Sequence, residues 1–386
     1  MEATLDHVMP VTVRPPVVMA EGSGSWLRDT DGRTYLDFVQ GWAVNCLGHA
    51  HPVMVEVLRT QAARLINCSP AFHNERMGRL TALIACSSGL DHVFLCNSGA
   101  EANEGAIKLA RKWGVRHRDG AYEVVTTHGS FHGRTLATMS ASGKPAFEGL
   151  FEPKVPGFRK VPLNDLEALA AAITDRTAAV MLEPIQGEAG VIPATDDYLR
   201  GARELTRARG VLLILDEIQT GIGRTGRLYG FEHVDVRPDI LTLGKGLGGG
   251  VPLAALVASA GASCFEPGDQ GGTFGGTPLM AAVGCAVLET VGRPEFLAAV
   301  REAGDHLATR LRALSSELGH GEVRGRGLLL ALALTRGDAS KVVDAALDRG
   351  LLINAPRPDT LRFMPALTVT HAEIDRMIEI LEPCLA

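Results

Sequence analysis

The chain has 386 residues and a formal net charge of −6, with 46% hydrophobic, 21% charged and 5% aromatic residues. That length accommodates one large domain and a smaller one around a sizeable core, and the composition excludes disordered and collagen-like chains. The acidic balance supplies no basic field for nucleic-acid phosphates, and no apolar run of about 18 residues is present to span a bilayer.

The first residues, Met1-Glu2-Ala3-Thr4-Leu5-Asp6-His7, carry neither the basic start nor the apolar stretch of a secretory signal, so a cytoplasmic location is the default expectation. Seven cysteines, at 46, 68, 86, 96, 264, 285 and 384, show no CxxC pair or zinc-type spacing and read as reduced thiols.

Within the first fifty residues, Gly22–Leu27 and Thr34–Phe38 suggest a strand pair able to dock onto the C-terminal part of the chain. From about residue 90 to 260, β-branched apolar runs alternate with helix-like stretches, the pattern of a mainly parallel sheet covered by helices. The predicted strands are His92–Cys96, Glu123–Thr127, Ala178–Glu183, Val211–Leu215, Ile240–Leu243 and Leu253–Ala258. Apolar residues recur at helical spacing over Ala100–Val115, Asp165–Ile173 and Asp197–Ala208. The last hundred residues change to helices at Pro294–Leu318 and Ala339–Arg349 flanking strands at Leu328–Leu334 and Leu351–Asn354. The expectation is a large α/β domain over 51–280, with 1–50 and 281–386 together forming a smaller α+β domain.

Three stretches at probable strand ends carry chemistry. Cys96 to Glu104 turns from a strand into a helix at Ser98, where the free N–H groups of Gly99 and Ala100 would hold a phosphate; an ordinary N-cap at Ser98, with Glu101 closing a capping box, explains the same residues. Leu213-Ile214-Leu215-Asp216-Glu217 runs an apolar strand into two carboxylates, where Asp216 is placed to face a ligand or to lie in a solvated turn. Gly244-Lys245-Gly246 embeds one lysine among glycines, suited to a Schiff base with a carbonyl cofactor, or to a flexible surface turn. Gly221–Gly226 and Gly244–Gly249 match the letters of a dinucleotide fingerprint, but neither glycine run opens a helix directly after its strand. His128 and His132 have metal-like spacing, yet Gly129 and Gly133 argue against the helix it needs, and no metal is expected.

Together these stretches resemble the class III aminotransferases, most closely the acetylornithine/ornithine aminotransferase group, along nearly the whole chain. The resemblance is carried by Asn97–Asn103, Ser130–Thr135, Glu183–Glu188, Asp216–Gly221 and Leu243–Gly246, with Tyr35–Phe38 and Leu47–Pro52 in addition. It implies a fold type I α/β architecture with a mainly parallel seven-stranded sheet, and pyridoxal 5'-phosphate as cofactor. It makes Lys245 the Schiff-base lysine, Asp216 the partner of the pyridine nitrogen, and Ser98, Gly99 and Ala100 the phosphate-binding turn. Phe131 resembles the aromatic that stacks on the ring, Ile218 the apolar contact on its other face, and Gln219 the neighbour of the phenolic oxygen. Thr273 matches a hydroxyl given to the phosphate across a homodimer interface.

For substrates, the resemblance makes Arg134 the site of the donor carboxylate and Arg362 that of 2-oxoglutarate, with Glu188 neutralising Arg362 when no dicarboxylate is present. Gly272 stands where the family usually has a substrate-contacting serine, Thr277 where it has asparagine, and Asn67–His73 departs from a tyrosine-bearing stretch. The expected reaction is ping-pong transfer of an amino group from acetylornithine, ornithine or a related amine to 2-oxoglutarate. Decarboxylase, racemase or aminomutase chemistry on the same fold is the alternative; a non-catalytic domain or a nicotinamide dehydrogenase fits the motifs less well.

Overall fold

Three short strands, β1 (Met19–Ser23), β2 (Trp26–Asp29) and β3 (Thr34–Asp37), open the computed structural model, which describes residues 7–385. Residues 1–6, on which the reading against a secretory signal rests, lie outside the described part, as does residue 386. Gly22–Leu27 is not one strand: Gly24 (φ +55°) turns the chain there, so the segment is the tip of the β1–β2 hairpin.

The large sheet contains β4 (His92–Cys96), β5 (Glu123–Thr127), β6 (Phe158–Val161), β7 (Thr177–Leu182), β10 (Leu212–Asp216), β11 (Ile240–Leu243) and β12 (Ala254–Ala258), with β8 (Ile185–Gln186) and β9 (Ile192–Pro193) forming a separate hairpin between β7 and β10. Its order is β4-β12-β11-β10-β7-β5-β6. Only β12 runs antiparallel to its neighbours, because the link from β11 is too short for a helical crossover. Strands β5, β7, β10, β11 and β12 are buried along their whole length, which is why they read as continuous Val, Ile, Leu and Ala runs rather than alternating patterns. The six predicted strands are all present, within one residue at each end. The seventh, β6, escaped prediction because it is the sheet's edge: Arg159 and Lys160 break its apolar pattern.

The remaining strands are β13 (Val323–Arg326), β14 (Leu329–Ala333), β15 (Leu351–Leu352), β16 (Asn354–Arg357) and β17 (Thr360–Phe363). The predicted strand Leu351–Asn354 is thus two strands that serve different sheets. β15 adds in parallel to β3, joining the first strands to the last hundred residues, and β16 borders the sheet β13-β14-β17-β16. Helices Pro294–Leu318, Ala339–Asp348 and His371–Leu385 cover these strands.

The Gly221–Gly226 run, which matches a dinucleotide fingerprint only in its letters, ties the loop after β10 to the C-terminal part of the chain. Arg224, in the Gly221–Gly226 loop, is buried and donates from Nη1 to the carbonyls of Leu328 (3.1 Å) and Pro365 (2.6 Å), while its own carbonyl accepts from Leu328 N–H (3.0 Å). Met364 N–H bonds Phe38 O (2.7 Å) and Leu367 N–H bonds Cys46 O (2.7 Å), so the chain just after β17 is tied to the segment that follows β3.

The helix Gly99–His117 lies directly on the sheet because Gly114 has no side chain to hold it off. A methyl at Gly114 would sit 1.9 Å from the Ala121 carbonyl oxygen and 3.1 Å from Ala178 Cβ. Gly114→Ala is expected to destabilise the protein by about 1–3 kcal/mol through this overlap, while Gly78→Ala, on an exposed helix face with open space around it, should stabilise by up to about 1 kcal/mol. Denaturant midpoints of the two variants check this; equal shifts would show that contact at Gly114 is not the constraint.

Candidate active site

The carboxyl ends of β4, β5, β7, β10 and β11 open on one side of the sheet, the usual place for ligands in open α/β folds. The residues just beyond them enclose a cavity of about 270 Å³, lined by Gly99, Ala100, Phe131, His132, Gly133, Arg134, Glu183, Ile185, Glu188, Asp216, Ile218, Gln219, Thr220 and Lys245. Nine positions that the sequence singled out therefore meet here: Gly99, Ala100, Phe131, Arg134, Glu188, Asp216, Ile218, Gln219 and Lys245.

At the helix start, Ser98 is the N-cap, its Oγ accepting from Glu101 N–H at 3.3 Å. The expected capping box is displaced by one residue: Glu101 Oε2 accepts from Asn97 N–H (2.6 Å) rather than from Ser98. Gly99 and Ala100 occupy the first turn, where N–H groups have no acceptor within the helix, and both line the cavity. An anion placed there would meet two backbone donors and the positive end of the helix dipole. Gly99 is required by packing, since a Cβ would lie 2.7 Å from Ile218 Cδ1.

Asp216, the last residue of β10, is 4% exposed. Its Oδ2 accepts from Asn103 Nδ2 (2.7 Å) and His132 Nδ1 (2.8 Å), and its Oδ1 from Ile218 N–H (3.1 Å). Asn103 is itself locked, giving its second amide hydrogen to His132 O (2.7 Å) and accepting from Thr242 Oγ1 (2.7 Å). These contacts fix the orientation of the carboxylate at the end of β10, where it could pair with a ring nitrogen. Asn103, His132 and Thr242 were not picked out from the sequence as site residues. The available signal was a polar residue at each of three otherwise apolar, buried positions; the metal-like spacing of His132 with His128 pointed elsewhere, and His128 is exposed.

Lys245 follows β11 in a left-handed conformation (φ +43°) that turns its side chain into the cavity. Burial lowers its pKa below the ordinary lysine value, with Arg362 adding to the effect and Glu188, Asp216 and Glu183 opposing it. Glu183, just past β7, accepts from Phe131 N–H (3.1 Å). Burial first, and the Asp216 charge second, hold its carboxyl well above the usual range.

On the opposite side of the site Arg362, from β17, is fully buried. Its Nη1 bonds Glu188 Oε1 (2.7 Å), Gly187 O (3.0 Å) and Gln219 Oε1 (3.4 Å), and its Nε bonds Asn354 Oδ1 (3.2 Å). Burial raises the Glu188 pKa, but Arg362 outweighs it, aided by Lys245 and Lys144, and the net shift is downward. Two donors here have no hydrogen-bond partner among the described residues, Gln219 Nε2 and Arg362 Nη2. A buried N–H without an acceptor costs about 1–3 kcal/mol, so an oxygen of a bound ligand would find a donor at either atom. A ring bearing an anionic tail, a hydroxyl and a basic nitrogen fits this donor and acceptor set.

Arg134 is exposed at the cavity, its guanidinium carbon 5.8 Å from the Phe147 ring centroid. Thr273 and Gly272 lie elsewhere, on an exposed turn outside their own chain's cavity.

Residues 8–385 match the family model described as aminotransferase class-III. An acetylornithine aminotransferase of Ralstonia nicotianae is 55% identical, over 99% of this chain and 97% of that protein. Among solved structures, the ornithine aminotransferase of Toxoplasma gondii superposes with a TM-score of 0.95 at 35% identity, covering 100% of this chain and 94% of that one. The N-acetylornithine aminotransferase of Stenotrophomonas maltophilia superposes with a TM-score of 0.86 at 36% identity, covering 100% and 98%.

The lowered Lys245 pKa has a signed consequence for stability. Between that pKa and about 10.5 the unfolded chain binds more protons at this site than the folded one, so stability rises with pH across the window. Ligand-free Lys245→Met is expected to be more stable than the parent protein at pH 7, with the advantage shrinking by pH 10. Denaturant titrations at the two pH values measure it, and a pH-independent difference would contradict the buried-amine account.

Proposed function

Because the chain belongs to the class III aminotransferases, we propose that it transfers the ω-amino group of acetylornithine, ornithine or a related amine to 2-oxoglutarate, with pyridoxal 5'-phosphate held through Lys245. The observation that carries this reading is the convergence, in one cavity, of a depressed-pKa lysine, a hydrogen-bonded Asp216 and the helix start at Gly99. Acetylornithine ranks first among the donors because relatives at 55% and 54% identity bear that activity in their names. The reaction then belongs to arginine biosynthesis.

In this reading Gly99 and Ala100 N–H groups hold the cofactor phosphate, with Ser98 capping the turn. Asp216 pairs with the ring nitrogen, Phe131 and Ile218 supply apolar contact to the ring, and Gln219 Nε2 donates to its phenolic oxygen. The bound cofactor supplies an electron-poor ring that accepts the charge left on the donor carbon. Lys245 Nζ takes the proton from that carbon, which requires the neutral amine that burial favours. Arg134 holds the donor α-carboxylate and Arg362 grips 2-oxoglutarate; bidentate guanidinium geometry suits both. The two substrates use the site in turn, a ping-pong sequence, with Glu188 covering Arg362 while the donor is present.

Thr273 acts in this scheme across a homodimer interface, giving its hydroxyl to the cofactor phosphate in the partner's cavity, with Gly272 beside it at a substrate-contact position. Exposed apolar side chains at Leu65, Ile66, Phe72 and Phe274 support a second copy covering this part of the surface. No helix among the described residues is long and apolar enough to cross a membrane, and a cytoplasmic location is proposed with the biosynthetic role.

A panel of ω-amino donors assayed with 2-oxoglutarate tests the reading: glutamate should form, with acetylornithine giving the highest kcat/KM. Lys245→Ala should lose at least about a thousandfold in kcat. Carbon dioxide release or racemised product without glutamate would support the alternative chemistry instead.

A further inference from the structure

Glu188 stands between two cations. Its Oε1 lies 2.7 Å from Arg362 Nη1 and its Oε2 lies 3.7 Å from Lys144 Nζ. Among the described residues, Glu188 is the only carboxylate within 4 Å of Lys144. Lys144 sits at the start of a short helical turn, Pro145–Phe147, and its ammonium lies 5.8 Å from the Phe131 ring centroid, at the cavity wall. Its side chain is 29% exposed and that of Glu188 is 19% exposed, so neither charge is fully screened by water.

The backbone carrying Glu188 is fixed at both ends. Arg362 Nη1 holds Gly187 O (3.0 Å) and Arg324 Nε holds Gly190 O (2.8 Å), while Gly187 O also accepts from Gly190 and Val191 N–H (3.4 and 3.3 Å). A Cβ at Gly187 would overlap Gln219 Oε1 at 1.6 Å, so this turn packs without slack against the cavity floor. Movement of Glu188 is thereby confined to rotation of its side chain.

A dicarboxylate that takes Arg362 puts two anions on one guanidinium, and Glu188 must leave. A carboxylate stranded in a half-buried site without a cation is costly. We propose that Lys144 is the positioning residue that receives the Glu188 carboxylate when a dicarboxylate occupies Arg362, and that it thereby sets acceptor affinity separately from donor affinity. The proposal rests on the reading of Arg362 as the acceptor site. The carboxylate travels from one cation to the other by a side-chain rotation, closing the 3.7 Å gap to a direct ion pair.

Calorimetric titration of the holoenzyme with glutarate, an unreactive dicarboxylate, tests it against the steady-state KM for the amino donor. Lys144→Met should weaken glutarate binding about three- to tenfold, as expected for a partly exposed ion pair, with the donor KM changing less than about twofold. Lys144→Arg, which keeps the cation, should restore most of the affinity. In a crystal of the glutarate complex, Glu188 should lie within hydrogen-bonding distance of Lys144 Nζ. Unchanged glutarate affinity in Lys144→Met, no rescue by arginine, or glutarate itself paired with Lys144 while Glu188 stays on Arg362 would each overturn the role of Lys144 alone. Failure of the parent holoenzyme to bind glutarate, or binding that survives Arg362→Met, would overturn the acceptor site and the proposal with it.

Discussion

The site depends on satisfying, with hydrogen bonds, one carboxylate buried inside the protein. Asp216 sits at the end of a fully buried strand, where an unpartnered anion would cost several kcal/mol. Asn103, His132 and the Ile218 N–H supply three donors, and they come from the helix after β4, the loop after β5 and the turn after β10. Thr242, on β11, fixes the orientation of Asn103. The hydrogen bonds that hold this carboxylate therefore also hold four elements in register at the carboxyl end of the sheet.

Asn103 can play this part because it lies four residues after Gly99, on the same face of its helix. One residue at the helix start offers N–H groups toward the cavity, and another one turn later reaches the Asp216 carboxylate. Sliding the helix along the sheet would break both, and the close contacts at Gly99 and Gly114 resist such sliding.

Opposite Asp216, the positive charge of Arg362 is brought in from the C-terminal sheet, its Nη1 and Nε bonded to Glu188, Gly187, Gln219 and Asn354. A fully buried guanidinium is tolerable only with such a set of acceptors. The partner is a side chain on a short turn rather than a second buried network, so it is the movable member of the pair. Arg224, from the loop after β10, and the bonds of Met364 and Leu367 to Phe38 and Cys46 hold the chain after β17 in place, so Arg362 stays put while Glu188 can respond to what occupies the cavity.

Most of the sheet was legible in the sequence, because parallel strands buried on both faces must be continuous apolar runs and their helices must show a 3.6-residue period. Gly99, Asp216 and Lys245 were legible for a related reason: each lies at or just past the end of such a run, where open α/β sheets place ligands, whereas Phe131 was implied only by the resemblance. Chain order could not disclose the partners of those residues. Asn103, His132 and Thr242 are ordinary polar residues until the fold sets them within 3 Å of one another or of Asp216. Edge strand β6 was hidden by its charged residues, and Leu351–Asn354 by serving two sheets, since pairing is set by neighbours far away in sequence. Local pattern specifies which faces are buried, and only tertiary structure decides which buried polar groups meet. Hydrogen bonds across 100 or more residues, such as Asn103 to Asp216, leave no local trace in the chain.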